Sequence, residues 1–99
     1  MKVEIGGRAR RQVERFDAWW RKNRDKAPEL FEQELAKAEE FLATTPHLAR
    51  QYVVRRGRLI RWLLLPKTKV KLYFWMDEES ATVNVISVWG SQRGREPRL

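Results

Sequence analysis

Lys69-Val70-Lys71-Leu72-Tyr73-Phe74-Trp75-Met76 decides how this chain is read. A strand sends successive side chains to opposite faces, so Val70, Leu72, Phe74 and Met76 share one side. Lys69, Lys71, Tyr73 and Trp75 share the other. One side is apolar enough to take a layer of helices. The other interleaves cations with rings and is the candidate working surface. Residues 58–65 (RLIRWLLL) and 82–89 (TVNVISVW) flank this stretch and are equally rich in β-branched, aromatic and leucine side chains. Residues 66–68 and 77–81 are breaks short enough for antiparallel hairpins.

Upstream, the period changes from two to 3.6. Residues 8–24 place Ala9, Val13, Phe16 and Trp20 on one helical stripe. A second stripe, Phe31, Leu35, Ala38 and Leu42, follows Pro28, which suits a first helical turn. Thr44-Thr45-Pro46 ends that helix, because the residue before proline avoids the α region. The short polar link between the stripes implies a helical hairpin. Residues 2–5 (KVEI) alternate and read as a short edge strand before Gly6-Gly7. Residues 51–56 fit either an irregular segment or a further short strand. The expected fold is therefore α+β, in two layers, ordered β-α-α-β-β-β. The hairpin packs on a mostly antiparallel four-stranded sheet. Trp20 and Trp62 are expected in the core, and the glutamates of the second helix on a solvated outer face.

A length of 99 residues implies one domain, 1–99, and residues 90–99 read as a basic tail with two glycines and a proline. The chain has no cysteine, which excludes disulfides and thiolate metal sites and fits a reducing cytoplasm. No apolar run approaches ~18 residues, so no membrane partner and a cytoplasmic location are expected. One histidine and scattered carboxylates make a poor first shell, so no metal and no cofactor are expected. His47 lies just past Pro46 and reads as a loop residue rather than a catalytic base. The net charge of +8 is unevenly placed. Residues 1–49 hold ten Lys/Arg against nine Asp/Glu, and residues 50–99 hold eleven against four. Such a field attracts polyanions, whether nucleic acid or an acidic protein segment.

Three stretches together resemble the RelE/ParE superfamily of toxins from bacterial type II toxin–antitoxin systems. They are the helical hairpin from Phe31 to Pro46, the run from Ile60-Arg61-Trp62-Leu63-Leu64 to Lys71-Leu72-Tyr73-Phe74, and the segment Val83 to Gly90 followed by Arg93-Gly94-Arg95-x-Pro97-x-Leu99. The resemblance implies a growth-inhibiting toxin held in a hetero-oligomer by a cognate antitoxin with an acidic, partly disordered segment. It also implies one of two targets. ParE-like members inhibit DNA gyrase, whereas RelE-like members are metal-independent endoribonucleases that cut messenger RNA on the ribosome. In the ribonuclease branch the resemblance assigns catalysis to Arg61, Lys71 and Arg93, with Lys69, Tyr73, Trp75 and Arg95 binding nucleic acid or target. Arginine forks suit phosphate charge, and aromatic rings can stack an unpaired base. Residues 91–99 contain no tyrosine or histidine to transfer a proton, which favours the gyrase-inhibiting branch. A basic nucleic-acid-binding module that is not a toxin is a further alternative.

Overall fold

The computed structural model describes residues 1–91 and 94–99. Strand β1 (Lys2–Ile5) leads into helices α1 (Gly7–Asn23) and α2 (Leu30–Thr44). A 3₁₀ turn, Pro46–Leu48, then opens four consecutive strands: β2 (Arg50–Arg55), β3 (Arg58–Leu65), β4 (Val70–Asp77) and β5 (Thr82–Gly90). Their order in the sheet is β1-β5-β4-β3-β2. β1 runs parallel to β5, and the other pairs are antiparallel.

The sheet is thus mixed and five-stranded, one strand more than expected. The addition is β2, the segment whose sequence allowed two readings. Arg55 pairs with Arg58 across Arg56 and Gly57, which both have positive φ, 53° and 76°. That is the primed two-residue turn, whose twist matches paired strands, and it closes residues 50–55 onto β3.

Both helical stripes pack as expected. Ala9, Phe31, Ala38 and Leu42 join Leu65, Val70, Leu72, Phe74, Val83, Val85 and Val88 in one core, flanked by Val13, Phe16, Trp20, Leu35 and Met76. Fully burying side chains such as Phe31, Leu42, Leu72 and Phe74 contributes about 1.5–3 kcal/mol each relative to exposure. Trp62 departs from expectation. It pairs with Tyr73 on the sheet face away from the helices and takes no part in this core.

A bulge keeps β5 in that core along its length. Tyr73 pairs with Ser87 and Phe74 with Val85, so Ile86 is the extra residue. Val83 and Val85 before it and Val88 after it all reach the helix side. Two polar side chains fasten the layers. β1 covers only Thr82 to Val85, and beyond it the buried Gln12 Oε1 accepts a hydrogen bond from the Val88 N–H at 2.7 Å. The other is Glu34, which breaks the expectation of a wholly solvated acidic helix. It is 9 % exposed. Its carboxylate accepts from the Lys67 N–H (2.8 Å), the Thr68 N–H (2.9 Å) and the Thr68 hydroxyl (2.8 Å). α2 is thereby tied to the β3–β4 turn.

Candidate functional site

The sheet face away from the helices carries aromatic rings with cations laid over them. Cross-strand pairing puts Trp62 beside Tyr73 and Lys71 beside Trp89. Lys71 Nζ lies 4.3 Å from the Trp62 ring centre, with the Arg50 guanidinium 5.5 Å away from the same ring. The Arg58 guanidinium sits 4.0 Å above Trp75. A cation over the face of an indole is held by the ring quadrupole, so these charges are positioned rather than free.

The chain then folds its own tail over this face. The Tyr73 hydroxyl donates to Glu96 Oε2 at 2.8 Å, and the edge of the Tyr52 ring meets Tyr73 at 5.3 Å between centres. Trp89 Nε1 donates to the Arg95 carbonyl at 2.9 Å. Arg8 Nη1 donates to the Arg98 carbonyl at 3.2 Å, and Pro97 is buried. Tyr73 is 0 % exposed as a result. Burial, with the Glu96 carboxylate second, pushes its phenol pKa well above the ordinary tyrosine value. Tyr52 is raised by burial and Glu96 too, against an opposing pull from Arg55.

The anticipated site residues are distributed differently from their sequence grouping. Lys71 and Trp75 do lie on the far face. Tyr73 lies there as well, but under the tail, so its ring offers no surface for a stacked base. Arg95 belongs to the tail, with its guanidinium 5.9 Å from the Trp89 ring. Lys69 precedes β4 with a left-handed φ of 61° and so escapes the strand's alternation. It lines a groove of about 730 Å³ shared with Arg15, Phe16 and Trp19 of α1 and with Arg24 just after it. Arg93 lies outside the described residues.

Arg61 is on the other side of the sheet. It pairs with Phe74, a core residue. Its Nη1 donates to the carbonyls of His47 (3.0 Å) and Ala49 (2.9 Å), while its buried Nε has no hydrogen-bond partner among the described residues. The guanidinium clamps the segment between α2 and β2. No family model and no curated protein matches the chain.

Among the described residues, then, the far face can hold anions and flat apolar groups, and its one buried phenol is already engaged. Sequence reasoning missed Arg50, Arg58 and Glu96. Arg58 was within reach, since it shares the parity of Trp62 in β3. Glu96 was not, because its partner Tyr73 is 23 residues away.

Proposed function

We propose that this protein is the toxin of a type II toxin–antitoxin pair of the RelE/ParE kind, acting by binding its target rather than by cutting RNA. DNA gyrase is the target on this reading, and an acidic segment of the antitoxin neutralises the basic surface. The observation that carries the choice of mechanism is the placement of Arg61 and Lys71 on opposite sides of one sheet. Cleavage of RNA needs its cations around a single phosphate and a group free to move a proton. Arg61 is occupied by backbone carbonyls and Tyr73 by Glu96. A binding poison needs neither group, only a stable surface of fixed charge and ring.

Induced expression tests the class, with growth arrest expected and relief expected from the antitoxin. Purified protein added to gyrase tests the mechanism: supercoiling is inhibited while translated transcripts stay intact. Transcript cleavage that requires Lys71 would instead establish the RelE-like alternative. Normal growth with abundant folded protein would leave the basic nucleic-acid-binding module as the better description.

A further inference from the structure

A second concentration of charge lies at the β2–β3 turn, where Arg58 and Trp75 meet residues from α1 and the tail. Arg8, Arg55, Arg56, Arg58 and Arg98 converge on one cavity of about 220 Å³. Its remaining lining is apolar, formed by Ile60, Trp75, Ile86 and Leu99. These side chains come from α1, from four strands and the β2–β3 turn, and from the tail, so the cluster is a product of tertiary folding. Among the described residues, ion pairs are formed by Lys2 with Glu4 and by Arg21 with Asp17 and Glu32. None of the five arginines takes part. Like charges gathered with no carboxylate among the described residues in ion-pair contact repel, and an anion seated among them relieves that repulsion.

We propose that this cavity binds the phosphate backbone of a nucleic-acid strand, without reading its bases. All five cations are arginines, whose planar forks match phosphate oxygens in a way an ammonium point charge does not. The Trp75 ring, 4.0 Å from the Arg58 guanidinium, holds that cation in place without using its N–H donors in a hydrogen bond. An acidic amphipathic peptide fits less well. It needs a groove for several apolar anchors, and this cavity offers four apolar side chains in a small volume. Phosphodiesters, by contrast, present consecutive charges with no side-chain stems to order.

The site is separate from the growth-arrest reading and is tested by a different measurement. Fluorescence anisotropy of labelled single-stranded DNA, and of RNA of the same sequence, is followed over a series of salt concentrations. Both bind alike, with affinity falling steeply as salt rises. The double variant Arg55→Gln/Arg58→Gln weakens binding about tenfold or more and reduces the log–log salt slope by about 1 to 2 units. The control Lys26→Gln/Lys37→Gln removes the same charge from exposed positions outside the cavity and changes affinity less than the arginine pair does. Arg55→Lys/Arg58→Lys keeps the charge and the fold but loses the forks, and it also binds more weakly. The proposal is overturned by equal losses in the control, by wild-type binding in the lysine variant, or by polyglutamate binding as tightly as the oligonucleotides. Strong preference for one base sequence likewise overturns a backbone-only site.

Discussion

The Tyr73 hydroxyl and the Glu96 carboxylate meet at 2.8 Å, joining the centre of the sheet to the tail. The folded state holds the Tyr73 pKa above its unfolded value of about 10. A group raised on folding contributes fully below its unfolded pKa and loses that contribution as pH rises further. Stability is therefore flat in this respect up to about pH 10 and declines above it. Tyr73→Phe lowers stability by about 1 kcal/mol near neutrality through loss of the hydrogen bond. It also flattens the alkaline decline. Thermal melts of both proteins between neutral and strongly alkaline pH provide the check.

Arg61 behaves as a structural residue. Arg61→Ala frees the carbonyls of His47 and Ala49, and hydrogen bonds from a charged donor contribute about 1.5–3 kcal/mol. Urea denaturation shows a loss of about 2 kcal/mol. On the proposed toxin reading, any loss of growth arrest follows the folded fraction and returns on cooling. A fully folded Arg61→Ala protein without activity would contradict this.

Glu34 accepts three hydrogen bonds from the β3–β4 turn. Glu34→Ala leaves the N–H groups of Lys67 and Thr68 without their acceptor in a half-buried position. The cost is about 2–3 kcal/mol. Hydrogen exchange at Lys67 and Thr68 accelerates more than exchange in β1, which lies away from the turn.

Arg56 occupies a left-handed backbone conformation, at φ 53°. Such a residue costs about 1–2 kcal/mol unless it is glycine or a short polar side chain. Arg56→Asn accordingly stabilises the protein by about 1 kcal/mol, while weakening oligonucleotide binding. Melting and anisotropy on the same sample test both halves, and the two changes run in opposite directions.

Legibility varied from strand to strand. β4 could be read because its inward positions, Val70, Leu72, Phe74 and Met76, are all apolar. β3 could be read as a strand over residues 58–65, but its inward face could not, because both faces mix leucine or isoleucine with an arginine: Leu59, Arg61, Leu63 and Leu65 against Arg58, Ile60, Trp62 and Leu64. Either face could have turned to the helices. Trp62 and Arg61 were exchanged for that reason. The β2–β3 turn was obscure because Arg56 stands where asparagine or glycine is the usual signal.

Periodicity alone determined the two helices, the core stripe of β4 and the two-layer arrangement, since those depend on neighbours within a few residues. Charge counting alone placed the positive excess in the second half of the chain. Which side of the sheet each arginine occupies, the tail laid over Tyr73 and the gathering of Arg8 and Arg98 with the turn arginines were decided only by tertiary structure. Those contacts join residues tens of positions apart, and a local pattern carries no information about which distant surface a segment will meet.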